Sequence, residues 1–516
     1  MKTIALLLSI FTCVASARAD VKLPAIFSDH MVMQAETTVP VWGWAEPGEE
    51  VSISLAGQSK TAKANTEGKW MVKLDRLKTA AAPQALTVKG KNTLIVKDVL
   101  VGEVWLASGQ SNMALRVLGT KDSDNEIPAA NFPLIRMFIV RSDGAAAPQD
   151  HCEGTWQICS PKTVGLFSAT AYYFGKELHK TLGVPVGLIN SSVGGTRIEA
   201  WTSVAAQKAA PALAARVAEF EKEAAAFNPE AAKAKYEKAL AVWKESSAKT
   251  KASGDIPPRA PLDPVASRLK LGRELGMLFN GKIAPLIPYA IKGAIWYQGE
   301  ANSSPDRAPL YGDQLTALIA DWRARWGYEF PFAWVQLPNF DGGEIRDWPL
   351  LREAMLHTLK VRNTGMAIAI DVGEADNIHP KDKPEVGRRL ALWALGEIYG
   401  QKVASTSGPL PGGHQIRGRE VVLSFTHADG GLVAKGGELK EFIIAGEDKQ
   451  WVKANAKIEG ETIIVSSPDV PKPAAVRYAW ANNPDGNLYN GAGLPASPFR
   501  TDDWKGEPGQ GAKSNE

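Results

Sequence analysis

The spacing of apolar residues changes character along the chain. Residues 38–44, 51–55 and 94–96 are short, partly alternating apolar runs between Gly-, Pro- and Asn-rich turns. Alternation broken at such intervals predicts a small β-sandwich over 20–100. From residue 101 the runs become nearly continuous, at 101–107, 184–190, 291–297, 332–337 and 366–371. Stretches of helical character, such as 170–182 and 310–326, lie between them. Strands apolar on both faces and alternating with helices predict an α/β fold with a covered parallel sheet.

Residues 204–252 break that pattern. They are rich in Ala, Lys and Glu, with Asn228-Pro229 as an interruption and a Pro-rich return over 254–264. A helical hairpin inserted into the α/β domain is expected, with its charges on a solvated face. Short β runs resume at 420–425, 442–445, 462–465 and 475–480. The expected plan is an N-terminal β domain over 20–100, an α/β domain in two parts over 101–203 and 265–404, a helical insertion over 204–264 and a C-terminal β domain over 405–500. The polar, Gly-rich end, 501–516, is expected to be disordered.

Residues 1–19 read as an export leader. Lys2 supplies the basic start, 4–14 the apolar segment, and Ala17-Arg18-Ala19 the small-residue cleavage site before Asp20. The apolar segment is too short to span a bilayer as a helix. The product is therefore expected to be soluble and exported, to a periplasm or outside the cell.

Composition narrows the picture further. A chain of 516 residues with 45% hydrophobic and 22% charged residues is ordinary globular stock, long enough for about three domains. Lys and Arg exceed Asp and Glu by 59 to 56, and by 57 to 56 once Lys2 and Arg18 leave with the leader. So even a balance gives no support to nucleic-acid binding. Cys152 and Cys159 remain after the leader goes. Export permits a disulfide between them, and two free buried thiols are the alternative. No Cys/His cluster accompanies them, so no metal or other cofactor is expected.

Ser111 stands in Leu106-Ala107-Ser108-Gly109-Gln110-Ser111-Asn112-Met113, directly after the first continuous strand. Open α/β sheets place their sites at the carboxyl ends of strands. Gly109 permits a tight strand-to-helix turn, and the helix start behind Ser111 suits a developing oxyanion. An N-cap serine is the plainer alternative. Gly57-Gln58-Ser59 repeats the tripeptide in the β region, so three residues alone are weak evidence, and the lipase-type G-x-S-x-G elbow is absent around Ser111. A serine needs a base. Among seven histidines, only His379 has an acid three residues before it, Asp376. That spacing lets a carboxylate reach Nδ1 while Nε2 faces a substrate; a surface pair or a cap is the alternative. Val193-Gly194-Gly195-Thr196 offers backbone N–H groups to an oxyanion, and Gln298-Gly299-Glu300 an amide and a carboxylate. These are four polar loops after four strands, and a parallel sheet would bring them to one edge.

At these loops the sequence resembles the SGNH hydrolase superfamily and, more closely, the sialate O-acetylesterase family of carbohydrate esterases. The matching stretches are Gly109 to Met113, Gly194-Gly195-Thr196, Trp296 to Asn302 and Asn377-Ile378-His379-Pro380. Leu23 to Met31, Phe279 to Leu286 and Gly387 to Leu392 fit as well. The resemblance implies an SGNH-type three-layer α/β fold with flanking β regions, and a Ser-His-Asp acetylesterase acting on O-acetylated carbohydrate. Carried over, Ser111 is the nucleophile, His379 the base and Asp376 the orienting acid, with Asp371 in reserve. The N–H groups of Ser111 and Gly195 and the Gln298 side chain form the oxyanion hole. Asn112, Arg197, Trp201 and Glu300 are expected at the substrate, Trp201 as a stacking face and Arg197 for a sugar carboxylate or as partner of Glu199 or Glu300. Trp105 and Trp296 suit the core. Acetylated xylan competes with sialate as substrate. A carbohydrate-binding protein without turnover is the reading from another class. A lipid esterase fits poorly, because the insertion is too charged for an apolar lid.

Overall fold

The computed structural model describes residues 20–252, 260–270, 274–343 and 346–504. The expected leader and the end of the expected tail, 505–516, lie outside the described residues. Most of the Pro-rich return also does.

One strand organises the molecule. Thr93–Gly109 runs for 17 residues. Its first half pairs antiparallel with Ala80–Lys89, and Val32–Gln34 joins it in parallel across Leu100 to Gly102. Its second half lies between two parallel partners, Val186–Ser192 and Gly293–Tyr297. The expected border at 100/101 therefore falls inside a strand, and the N-terminal β region shares a sheet with the α/β domain.

Outward from that strand run Gly293–Tyr297, Phe332–Gln336 and Thr364–Ile368 on one side, all parallel. On the other side are Val186–Ser192, then Phe132–Ile139, then the antiparallel edge Trp156–Cys159. Register aligns the ends. Gly109 is opposite both Ser192 and Tyr297, so three adjacent strands finish in one row. The loops that follow must emerge side by side.

Helices cover both faces. Trp105 and Trp296 sit on opposite faces, because Trp296 pairs with Ser108. Trp105 meets Phe174 of Ala169–Leu182 and Trp393 of Lys383–Trp393 at 5.0 and 6.4 Å between ring centres. Trp296 meets Trp322 of Tyr311–Trp326 at 6.0 Å. Each indole N–H has a partner, Tyr399 for Trp105 and Tyr311 for Trp296, so these large rings bury area without orphaning a donor. Two of these helices begin on side-chain caps: Ser168 accepts from Ala171 N–H and Asp382 from Glu385 N–H.

The segment 204–252 is helical, as Val204–Ala209, Ala214–Ala226 and Pro229–Ala252 with a short 3-10 turn. Leu213, Val217 and Phe220 are buried beneath it. After residue 405 two four-stranded antiparallel sheets enclose a separate apolar core that includes Val421, Ile444, Val476 and Phe499. This region is fixed to the α/β domain by polar bonds: Gln336 donates to Ser497, and the fully buried Arg352 donates to the carbonyls of Ala481 and Asn482. The start of the expected tail is packed, since Asp502 is buried in an ion pair with Arg477. Cys152 and Cys159 are free and buried, and burial pushes their thiols up to about 11 and about 12. Among the described residues no helix is long and apolar enough to cross a membrane.

Candidate active site

Ser111 opens the helix Ser111–Ala114 at the end of the central strand. The turn before it is pressed against the neighbouring strand. Gly109 has φ 137°, and a Cβ there would lie 2.1 Å from the Tyr297 carbonyl oxygen. That carbonyl accepts the Gln110 N–H at 2.9 Å. Only glycine lets the chain turn so close to its neighbour. As first residue of its helix, Ser111 has no intrahelical acceptor for its N–H. Its side-chain hydroxyl is half-buried and makes no hydrogen bond among the described residues.

The 193–196 loop lies against this turn. Val193 N–H donates to the Gly109 carbonyl at 3.1 Å, and a Cβ on Gly194 would sit 3.4 Å from that of Ser111. Gly195 is exposed with φ 73°, and its N–H has no acceptor among the described residues. Ser111 and Gly195 thus bring two free N–H groups to one place.

Behind them is a buried polar network. The Gln298 amide donates to Gln110 Oε1, the Thr196 carbonyl and Asn302 Oδ1, at 3.1, 3.1 and 2.9 Å. Asn302 in turn donates to Glu199, and Glu199 takes Arg216 from the insertion. Gln298 is therefore engaged inside the protein, with no N–H left to offer an oxyanion. Trp201 is fully buried, donates to Thr196 Oγ1 and packs edge-on to Trp296, so it presents no face to a sugar.

His379 is half-buried in the loop after the last parallel strand. Its ring makes no hydrogen bond among the described residues. The residues around it are tied to the Ser111 turn: Asn112, next to Ser111, donates to the carbonyl of Ile378, next to His379, at 2.9 Å. Burial, then the nearby Lys383 charge, holds the imidazole below its ordinary value. Asp376 is exposed and accepts no hydrogen bond among the described residues. Glu374 braces the loop instead, accepting from the Asn377 amide and Lys381 N–H. Burial alone would raise the Glu374 carboxyl, but these donors and the charges of Lys381 and Lys383 hold it low. Asp371, the reserve acid, is occupied by Arg389 at 2.6 and 2.9 Å and by Tyr489.

Asn112 and Glu300 also face inward. Asn112 donates to Glu300 and Ile378, which uses both its N–H groups, and accepts from Lys383. Arg197 behaves differently. Glu199 is taken by Arg216 and Glu300 by Asn112, so neither pairs with it. Its guanidinium makes no hydrogen bond or ion pair among the described residues and lies 6.0 Å from the Phe220 ring centre. It lines a cavity of about 670 Å³ that begins at Gly195. Among the described residues no cluster of three or more His, Cys, Asp or Glu side chains is arranged as a metal site.

A family model described as carbohydrate esterase, sialic acid-specific acetylesterase, matches residues 101–246 and 280–395. The chain is 32% identical to the sialate O-acetylesterase of Rattus norvegicus, covering 96% of each. It is 29% identical to that of Homo sapiens, over 94% of this chain and 93% of the relative. The chain belongs to the sialic acid-specific acetylesterase family. A crystal structure of a carbohydrate acetylesterase from Xanthomonas citri superposes with a TM-score of 0.80 at 35% identity, over 94% of this chain and 100% of that one. Membership bears out the reading of this chain as a carbohydrate O-acetylesterase and a hydrolase.

Within this acetylesterase the sequence reading missed three residues at the site. Lys383, Glu374 and Arg216 are ordinary charged letters in charged stretches, and nothing in their spacing marks them. The one available signal was Pro384 at the start of a helix, which places Lys383 at a helix entry beside the histidine loop.

Proposed function

We propose that this chain is an SGNH-type serine acetylesterase that removes acetyl groups from acidic sugars through an acyl-enzyme on Ser111. The observation that carries the reading is the meeting of three things at one sheet edge. They are an unpartnered serine on a strained turn, two free backbone N–H groups beside it, and an unpartnered, neutral-leaning histidine whose loop is tied to that turn.

The chemistry follows from those groups. Ser111 Oγ attacks the acetyl carbonyl carbon while His379 takes its proton. Negative charge on the carbonyl oxygen faces the Ser111 and Gly195 N–H groups. The bond to the sugar oxygen breaks, and that oxygen receives the proton from His379. Water then attacks the acetyl-serine, His379 again serving as base, and acetate and free serine result. Asp376 is the proposed orienting acid, supported by its place three residues before His379. It has no other partner to leave, and catalytic contacts often tighten only with substrate bound. Export is proposed on the leader pattern of residues 1–19.

Arg197 supports the acidic-sugar assignment. An unpaired guanidinium in a cavity beside the oxyanion loop suits a carboxylate, which it binds as a fork. Burial and the neighbouring Arg307 press on its charge, against the pull of Glu199 and Glu223 in the same cavity. The test is acetate release from O-acetylated sialoglycan and from acetylxylan, with Ser111→Ala as control. Release mainly from sialoglycan, lost in the variant, is expected. Equal release from xylan would overturn the acidic-sugar assignment, and release by the variant would overturn the serine mechanism.

A further inference from the structure

The carbonyls on both sides of His379 are held. Ile378 O accepts from Asn112, and Pro380 O accepts from Lys383 Nζ at 2.7 Å. The same ammonium donates to Asn112 Oδ1 at 2.7 Å and lies 5.2 Å from the Tyr297 ring centre. Asn112 completes the chain by donating to Glu300. Lys383 is fully buried, and Glu300 nearly so, with Oε2 lacking a hydrogen-bond partner among the described residues. A lysine and a carboxylate are seldom buried this deeply unless each supports the other. Here they do so through the one amide that follows the nucleophile.

We propose that Lys383 is a positioning residue, whose buried ammonium fixes the His379 loop to the Ser111 turn through Asn112. The proposal rests on the Ser111–His379 reading above. The charge environment agrees with it. Burial lowers Lys383 to about 7, against the pull of Glu300 across the site and of Glu374 and Asp382 on its own loop. Burial raises Glu300, against Asn112, Lys383 and Arg346. Of the outer acids, Glu374 faces Lys381 and Asp382 is paired with Lys121. Below about 7, then, Lys383 carries its proton, and that charge opposes protonation of His379.

The test is the acid limb of kcat/KM for acetyl-ester hydrolysis in Lys383→Met, in Lys383→Arg and in the double variant Lys383→Met/Glu300→Gln. The double variant removes both buried charges, so it covers the case in which the single change leaves Glu300 stranded and the protein unfolds. Loss of the ammonium is expected to move the acid limb up by about half a pH unit. It is also expected to lower plateau kcat/KM about tenfold as the loop loosens. Lys383→Arg keeps the charge and is expected to keep the limb near its original position. In the wild-type protein an NMR titration of the His379 ring is expected to give a midpoint below 6.5. A folded Lys383→Met or double variant with an unmoved limb, or a wild-type midpoint at or above 6.5, would overturn the proposal. His379→Ala separates the two failures: retained activity there would refute the serine–histidine reading itself.

Discussion

At the scale of single residues, the groups proposed to react stand in legible motifs, and the groups that support them do not. Ser111, Gly194, Gly195 and His379 belong to short motifs after strands, and the structure brings them to one edge. Asn112, Gln298, Glu300 and Trp201 looked like ligands because they are polar or aromatic and stand beside those motifs. Their hydrogen-bonding groups are turned inward, and a sequence does not show which way a side chain turns. The His379 ring supplies the sharpest residue-scale prediction. A base held low stays neutral to lower pH, so kcat/KM should fall only below about 6.5, the ordinary imidazole value. An acid limb of kcat/KM centred near 7 would mean that a carboxylate already meets the ring in the free enzyme. Asp376→Asn addresses the same contact. Asp376 is exposed, so the variant should fold normally and lose about 10²-fold or more in kcat. Unchanged kcat would remove Asp376 from the mechanism.

At the scale of elements, apolar runs located the five continuous strands named in the α/β domain, to within a few residues except for the central one. The reading parted 94–96 from 101–107, because Lys97 and Asp98 interrupt the apolar run. The backbone continues through them as one strand, with Asp98 taken up by Arg136 and His30. Phe132–Ile139 and Trp156–Cys159 went unnamed, because their apolar residues are interrupted by Pro133, Arg136 and Gln157. Two element-level substitutions test the site's scaffold. Gly109→Ala puts a methyl group against the Tyr297 carbonyl and forces an unfavourable φ. It should cost about 2 kcal/mol or more in stability and most of the activity, read by thermal unfolding and acetate release. Arg216→Ala strands the buried Glu199 beneath the 193–203 loop. About 3 kcal/mol of stability should be lost, and restored in part by Glu199→Gln in the same chain. Additive losses in that double variant would show that the pair is not coupled.

At the scale of the whole molecule, the three regions act on one sheet edge. The N-terminal region extends the central strand, the insertion supplies Arg216 behind the 193–196 loop, and the C-terminal region reaches the root of the histidine loop through Tyr489 and Asp371. None of these inter-region contacts can be read from composition, because each joins residues far apart in the chain. The insertion also walls the cavity in which Arg197 lies free. Arg197→Ala should therefore raise KM for an acetylated sialoside about tenfold, a loss of ~1.4 kcal/mol in binding, and affect a neutral acetylated sugar less. Equal effects on both would make Arg197 a structural cation. The most direct measurement is peptide mass mapping of enzyme quenched in acid during turnover of an activated acetyl ester. An acetyl group on Ser111, absent from Ser111→Ala, is the expected result. Steady acetate release with no acetylated Ser111, or with the acetyl group on another residue, would contradict the acyl-enzyme mechanism.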